Sequence, residues 1–254
     1  MHRRGWILAL GGLMLAACGS GTAGGGSLSG LGGSGQGDGG GSGQGDGGGT
    51  GQVDSGANAF CPGTHLAGDC FFEFTCLKED FAGCVSMTGN FVSRVLDDVY
   101  SHTLKEIDLP ALSSIGGKLD IQENFALTRV NLPALKSVGG TIRIERNYPL
   151  DYLNLQGLET VGGMLHVRGS VGGGDKLTKV DLPSLGSVGE GLFIVGNDSL
   201  TSLALPGLTK LGGPLVISSN KNLPACAAEK IRAQLVGYTG DVQISGNTGT
   251  GACP

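Results

Sequence analysis

A Leu-Pro dipeptide that recurs through the second half of the chain is the feature that most constrains its fold. It stands at 109–110, 132–133, 182–183 and 205–206, and Leu155-Gln156 takes the same phase in a fifth copy. The steps between copies are 23, 23, 27 and 23 residues, so one copy carries four extra residues and the others keep a strict period. Self-similarity at a period of 20–50 residues indicates a solenoid, in which each repeat packs on the next.

Apolar residues inside each copy alternate with the period of a β-strand. Leu119 and Ile121 are spaced two apart, as are Val130 and Leu132, and β-branched residues are common at such positions. Proline and paired glycines recur through the repeat too often for a helical repeat. We therefore predict two short strands per turn, a third side that runs from the proline to the Gly-Gly corner, and parallel pairing between turns.

An asparagine follows the first strand of most copies. In-register stacking aligns these residues in one column: Asn124, Asn147, Asn197, Asn220 and Asn247. A buried asparagine at a corner can bond the backbone of its own and neighbouring turns, which favours a structural ladder over a polar ligand site. Ser170 interrupts the column where the four extra residues begin, so we expect the segment from Val171 to Lys176 to loop outward.

The repeat pattern resembles that of a known family. Leu-Pro-x-Leu-x-x-Val-Gly-Gly-x-Leu-x-Ile-x-x-Asn-x-x-Leu, represented by 132–150, is similar to the receptor L domain of insulin- and epidermal-growth-factor-receptor ectodomains. The resemblance covers about 84–250, and bacterial lipoproteins and fungal cell-wall proteins carry similar coils. It implies a mainly β fold, namely a right-handed parallel β-helix of leucine-rich-repeat type with turns of about 23 residues.

Residues 1–17 are typical of an export signal. Arg3 and Arg4 precede a short apolar run that is too short to span a bilayer as a helix. The run ends in Leu15-Ala16-Ala17-Cys18, which resembles the bacterial lipobox. That resemblance implies that Cys18 carries lipid as the first residue of the mature protein, and Gly19 after it implies sorting to the outer membrane. The alternative is an ordinary secretory signal with a chance cysteine.

Residues 18–59 comprise the lipidated cysteine and a glycine-rich segment. Ser-Gly-Gln-Gly-Asp-Gly-Gly-Gly occurs there twice in tandem, at 34–41 and 42–49. With almost no apolar side chains, the segment is predicted to be a disordered tether. A calcium-binding β-roll is the alternative, but its repeat has nine residues and an apolar position that this segment lacks.

The seven cysteines are an odd number for an exported protein. Lipidation of Cys18 leaves six, which can pair as three disulfides in an oxidising compartment. Four of them fall in a predicted N-terminal cap, 60–103, without a Cys-x-x-Cys pair, which favours disulfides over zinc: Cys61, Cys70, Cys76 and Cys84. Their pairing stays open. Alignment to the repeat places Cys84 in an inward leucine column, and the longer segment from Ser93 to Thr103 is predicted to bulge outward.

A second cap is predicted at 224–254, which completes a single solenoid domain at 60–254. Pro224 and Gly237 bracket a short helix from Ala225 to Val236. Residues 239–247 then repeat the strand and corner once more. Cys226 falls in the inward column of Val130, and we predict that it forms a disulfide with Cys253.

No catalytic, cofactor or metal-binding constellation stands out in the sequence. It contains no nucleophile elbow, no His-Glu-x-x-His motif and no phosphate loop, so we expect no enzyme activity and no cofactor. The outward column between the Leu and Ile positions mixes residue types and does not suggest an acid/base pair: Asp120, Arg143, His166, Phe193, Val216 and Gln243.

A partly apolar strip on this face is the best candidate for binding: Met164, His166, Phe193, Val195 and Val216. Apolar strips can mark recognition surfaces, although scattered surface hydrophobes are the alternative. We therefore predict a membrane-anchored envelope lipoprotein that recognises a protein or a glycan. A structural envelope or matrix protein is the second hypothesis, and a glycan-acting enzyme the third. The mildly acidic composition has no basic block that would indicate nucleic acid.

Overall fold

The structure is a computed structural model that describes residues 65–66, 70–71, 84–94, 104–169 and 174–253. At 65–66 and 70–71 it describes the backbone alone. All of these residues belong to the compact unit Val53–Pro254. The predicted signal peptide, Cys18 and the glycine-rich tether therefore lie outside the described residues.

Each turn of the chain has three sides, and strands of successive turns pair in parallel along each side. Leu119, Ile142 and Leu165 are paired partners in consecutive turns, which confirms the period of 23 residues. The next step, from Leu165 to Leu192, takes 27 residues because it includes the insertion. The described part of the chain is thus a mainly β parallel solenoid, as the repeat predicted.

The first side of each turn contributes a strand to an eight-stranded sheet. Its strands are β2 (Cys70–Phe71), β4 (Phe91–Arg94), β7 (Leu119–Gln122), β10 (Ile142–Glu145), β13 (Leu165–Arg168), β16 (Leu192–Val195), β19 (Leu215–Ser218) and β20 (Val242–Ser245).

The second side is divided between two smaller sheets. One contains β5 (Glu106–Asp108), β8 (Arg129–Asn131) and β11 (Tyr152–Asn154), and the other contains β14 (Lys179–Asp181) and β17 (Ser202–Ala204). Pairing along this side stops between Asn154 and Lys179, where the chain carries its four extra residues. One interrupted period is thus enough to divide this side.

The third side was predicted without a strand, and this prediction was wrong. Two-residue strands pair there in a seven-stranded sheet: β1 (His65–Leu66), β3 (Ser86–Met87), β6 (Ser114–Ile115), β9 (Ser137–Val138), β12 (Thr160–Val161), β15 (Ser187–Val188) and β18 (Lys210–Leu211). A strand of two residues presents only one inward side chain, so it leaves no alternation for the sequence to show.

The core is a set of apolar columns that run along the solenoid axis. Leucine, isoleucine and valine occupy them almost throughout, and side chains such as Leu119, Ile142 and Leu165 are fully buried. Equivalent residues of neighbouring turns lie about 4.8 Å apart, so each side chain packs on its own counterpart.

The Gly-Gly corners allow the turns to approach each other closely. The N–H of Gly162 donates to the carbonyl of Val138 at 2.8 Å. A Cβ atom at Gly162 would collide with the carbonyl oxygen of Gly139 in the preceding turn. The first glycine of the other corners meets the same obstacle: Gly116, Gly139, Gly189 and Gly212. The glycine is therefore required by the stacking distance.

The predicted asparagine ladder is confirmed. Asn220 is fully buried, and its Oδ1 accepts from the backbone N–H and the Nδ2 of Asn197 at 3.0 and 3.1 Å. Asn247 accepts from Asn220 in the same way, at 3.2 and 3.0 Å. In the earlier turns Asn124 donates to Asn147. The ladder supplies partners to corner N–H groups that no strand pairs.

The insertion does not loop outward as a whole. Residues 170–173 lie outside the described residues, but Asp175, which was predicted to be in the loop, is only 8% exposed. Its carboxylate lies beside Gly169, and it lines a cavity with Asn147 and Asn197, the two ladder residues on either side of the interruption. The extra residues thus return an acidic side chain to the core at the level where the ladder lacks an asparagine.

The N-terminal cap agrees with the repeat alignment where it is described. Cys84 is 1% exposed and disulfide-bonded, and the pairing of β3 with β6 places it opposite Leu112, as predicted. The bulge predicted to begin at Ser93 does not begin there, because Ser93 and Arg94 continue strand β4. Ser93 is buried and its Oγ donates to Asn124 at 3.1 Å. The rest of that segment, 95–103, lies outside the description.

The C-terminal cap contains the predicted helix and disulfide. Helix α1 (Ala225–Gln234) begins after Pro224, and Gly237 adopts a positive φ beyond its end. Cys226 and Cys253 are bonded, with their Cα atoms 5.8 Å apart. The inward position predicted for Cys226 was wrong, since the residue is exposed. The helix replaces the strand at this level, so Ala227, Ala228 and Ile231 are buried instead.

Candidate functional site

The outward face of the eight-stranded sheet presents the predicted column in register. From strand β7 to strand β20 its members are consecutive pairing partners: Asp120, Arg143, His166, Phe193, Val216 and Gln243. Val92 on β4 precedes them. Because side chains alternate along a strand, these residues point away from the core while their neighbours fill it. We call this row the outward column.

The structure brings the five predicted strip residues together on three adjacent strands. His166, Phe193 and Val216 follow each other in the outward column, and Val195 lies two residues beyond Phe193 on the same face. Met164 directly precedes strand β13. All five side chains are half-buried. They form one contiguous patch, which we call the apolar strip.

Phe193 lies at the centre of the apolar strip. Its ring contacts the ring of His166 edge to face, with centroids 5.7 Å apart and an interplanar angle of 62°. A Cβ atom at Gly191 would come within 3.0 Å of the Phe193 ring. The ring therefore lies over Gly191, across the surface of the sheet, and the missing side chain at 191 makes this position possible.

The other half of the outward column is charged. Asp120 is 7% exposed, it lies 3.4 Å from the Nζ of Lys118, and it accepts a hydrogen bond from Gln122. Glu145 lies 3.3 Å from Arg168 and 3.9 Å from Arg146. The sequence gives no sign of which cation each carboxylate binds, because every residue on this face has several charged neighbours in adjacent turns.

Arg143 differs from the other charged residues of this face. It lies between Asp120 and His166 in the outward column, and its buried Nε has no hydrogen-bond partner. Sequence analysis placed Arg143 in the column but gave it no role. Its distinguishing property is the unpartnered Nε, which depends on side-chain geometry.

The pKa of the His166 imidazole depends on its position between the charged half of the outward column and Phe193. Burial lowers the pKa of His166. Glu145 opposes this shift, while the positive charges of Arg143 and Arg168 lower the pKa further. The neutral form is therefore favoured, as suits an aromatic contact with Phe193.

Two surface aromatic pairs were missed by the sequence analysis. Arg129 stacks on the ring of Tyr152, with its Cζ 3.8 Å from the centroid, and Phe125 lies 5.5 Å from Tyr148. Both tyrosines are among the exposed large side chains, at 37% and 39% exposure. Tyr152 belongs to β11, on another side of the solenoid, so the Arg129–Tyr152 pair is separate from the apolar strip.

The remaining predicted site residues are the cysteines. Cys226, Cys253 and Cys84 are disulfide-bonded, while Cys18, Cys61 and Cys76 lie outside the described residues. Strand β2 places the backbone of Cys70 beside β4. Where side chains are described, no three His, Cys, Asp or Glu residues are grouped to hold a metal ion. No helix in the described ranges is long and apolar enough to cross a membrane.

Comparisons with known proteins give no relative for this chain. No family model matches it, and the searches of curated proteins and of solved structures gave no significant match. The resemblance to the receptor L domain therefore stays a prediction from the repeat pattern, and the site must be interpreted from its own chemistry.

Proposed function

We propose that this chain is a non-catalytic recognition protein of the bacterial cell envelope. A lipid on Cys18 would anchor it to the membrane, most simply the outer membrane, and the glycine-rich segment would carry the solenoid away from the surface. The face of the eight-stranded sheet would bind a protein or a glycan. The observation that supports this proposal is the apolar strip, five half-buried side chains on three adjacent strands of one face.

The strip matters because the fold does not require it. Inward columns must be apolar, since the turns stack through them, whereas an outward position needs only to tolerate water. The neighbouring turns fill the same outward positions with Asp120 and Arg143. A cluster of phenylalanine, valines and methionine on such a face therefore favours contact with another molecule.

The second candidate is a structural protein of the envelope or matrix, in which the solenoid acts as a spacer. The single apolar core that includes residues from Met87 to Ile217 favours this role, because stacked turns that share one core resist bending. The two functions differ in one respect: a spacer needs no particular residue at Phe193. A glycan-acting enzyme remains the third candidate, and three described carboxylates of this face each lie beside a cation: Asp120, Glu123 and Glu145.

Substitution of Phe193 separates recognition from a spacer role. Wild-type protein, the Phe193→Asp variant and the Tyr152→Asp control are immobilised and exposed to envelope extracts and to a glycan panel. Tyr152 is a comparable surface aromatic on a different side of the solenoid. We expect Phe193→Asp to abolish the capture of a ligand without lowering the melting temperature. The Tyr152→Asp control should still capture the ligand. Capture that is unchanged in Phe193→Asp would contradict the role of the strip.

The anchor is tested separately. Metabolic labelling with palmitate should mark the wild-type protein and leave Cys18→Ser unlabelled, because the thiol would carry the lipid. Membrane fractionation of the same cells should place the wild type with the outer membrane. Equal labelling of both proteins would exclude Cys18 as the lipidated residue.

A further inference from the structure

On the outward face, the guanidinium of Arg143 has a hydrogen-bond donor that the fold does not satisfy. Its Nε is buried and makes no hydrogen bond, and no other buried side-chain nitrogen or oxygen of the described residues is in this condition. A buried donor without a partner costs free energy, and more so on a charged group. Arg143 thus carries a donor that the fold does not satisfy, in a column whose other positions hold residues of several types.

The carboxylates nearest to Arg143 are engaged elsewhere. Asp120, its pairing partner on β7, is held by Lys118 and Gln122. Glu145, two residues along the same strand, lies against Arg168 and Arg146. Both carboxylates thus form ion pairs with cations other than Arg143, although each is a close neighbour of Arg143 in the sheet.

The surroundings of Arg143 carry an excess of positive charge. Along β4, β7, β10 and β13 and the residues next to them, five basic side chains face three acidic ones: Arg94, Lys118, Arg143, Arg146 and Arg168 against Asp120, Glu123 and Glu145. The whole chain has a formal net charge of −5. A local positive surplus on an acidic protein attracts an anionic ligand.

A flat aromatic surface lies close to this charge. Phe193 is two strands from Arg143 in the outward column, a separation of about 10 Å at the usual strand spacing. Its ring lies over Gly191, across the sheet, and is half-buried. An aromatic ring in this position offers its face to the C–H groups of a flat partner.

We infer that this face binds an acidic glycan, a polysaccharide whose sugar units carry carboxylates. The inference rests on the proposed recognition function and specifies its ligand. Arg143 holds one carboxylate of the glycan with the terminal N–H groups of its guanidinium, and Phe193 stacks against a sugar ring further along the same chain. The parallel strands present this anion site and this stacking site along one line, as an extended polymer requires.

The shape of the face favours a glycan over an acidic peptide. Protein partners usually bind through large side chains that enter well-packed pockets. The outward column is instead a row of in-register side chains on a parallel sheet, and Phe193 itself is folded down onto that sheet. Such a surface suits flat rings that stack, together with carboxylates that reach a guanidinium from above.

Binding of defined polymers to the full mature chain in detergent micelles tests the inference. The probes are polygalacturonate, alginate, fully methyl-esterified polygalacturonate and poly-L-glutamate. We expect at least one of the two uronate polymers to bind, and its affinity to fall with ionic strength. The neutral ester and poly-L-glutamate should bind at least about tenfold more weakly, as expected on losing a charged hydrogen bond or the stacking contact.

Matched arginine variants locate the site. Arg143→Gln should weaken uronate binding by about tenfold or more, since one charge-assisted contact is lost, while Arg143→Lys should give an intermediate affinity. Arg129→Gln, which removes an arginine from the three-stranded sheet, should bind as the wild type does. The melting temperature of Arg143→Gln should be equal or higher, because the variant removes an unpaired buried donor.

Several results would overturn the inference. Absence of binding to both uronate polymers, equal binding of the methyl ester, or equal losses in Arg143→Gln and Arg129→Gln would each exclude an acidic-glycan site at Arg143. Tighter binding of poly-L-glutamate would assign the face to an acidic protein instead. If envelope capture still depends on Phe193 in these cases, the recognition function stands and only its ligand class is wrong.

Discussion

The inner and outer faces of the eight-stranded sheet differ in how much they vary between turns. Inward positions of the strands repeat one type of residue, and all are buried: Leu119, Ile142, Leu165, Leu192 and Leu215. The outward column one residue later changes from an acid to a base, an imidazole, a phenyl ring and a valine. Stacking therefore constrains the inner face at every turn, and only the outer face is available for recognition.

The largest effect is expected from a truncation of the inner face. Leu165→Ala removes a fully buried side chain between two equally buried neighbours, so the cavity cannot close easily. The free energy of unfolding should fall by about 2–5 kcal/mol. The control is Val216→Ala on the outer face, expected to cost about 1 kcal/mol or less because the side chain is half-exposed. If urea denaturation gives equal losses of unfolding free energy for the two variants, the two faces do not differ in their contribution to stability.

The asparagine ladder should behave as part of the inner face although it is polar. Asn220→Ala leaves the backbone N–H of Asn197 without its partner inside the protein. An unsatisfied buried donor costs about 1–3 kcal/mol. The control is Asn154→Ala, which breaks a 2.8 Å bond to Asn131 at a surface where water can replace it. If both variants unfold at the same denaturant concentration, the ladder is not a structural element.

Substitution of a corner glycine is expected to have a smaller effect on stability, and it tests the packing of a single corner. Gly162→Ala would force a Cβ against the carbonyl of Gly139, and overpacking of this kind costs about 1–3 kcal/mol. The lower entropy of the unfolded chain returns about 0.4–1 kcal/mol, so we expect a net loss of about 1–2 kcal/mol. At Gly186 the nearest atom would be 3.7 Å away, an ordinary contact. Gly186→Ala should therefore melt at or above the wild-type temperature, and a loss equal to that of Gly162→Ala would refute the argument.

The sequence predicted the inner face well because each inward residue stacks on its own counterpart. The repeat motif therefore sufficed to place Cys84 opposite Leu112 and to align the asparagines, even where the spacing departs from 23 residues. The prediction was wrong where the period is interrupted. Asp175 is buried rather than looped out, and Cys226 is exposed because a helix replaces the strand there.

The outer face could be placed from the sequence but not interpreted. Alternation identifies the members of the outward column, and all five strip residues lie together as predicted. The chemistry of that face depends on which side chains pair. Lys118 and Gln122 bind Asp120, and the buried Nε of Arg143 has no hydrogen-bond partner. Such choices among near neighbours are decided by rotamers, which a repeat pattern does not contain.

The smallest expected effect is a pH dependence that originates on the outer face. Burial lowers the pKa of His166, and the charges of Arg143 and Arg168 add to this shift against Glu145. As the pH falls below about 6.5, the unfolded chain takes up a proton at this histidine before the folded chain does, so stability decreases until the pH passes the lower folded pKa.

The variant His166→Gln should remove this part of the pH dependence. The difference in unfolding free energy between wild type and variant is measured from pH 8 to pH 5 at constant ionic strength. Because all other titrating groups are common to both proteins, the difference isolates His166. We expect the wild type to lose stability relative to the variant as the pH falls. A constant difference would show that His166 has the same pKa in both states, and that the outer face is open to water even beside Phe193.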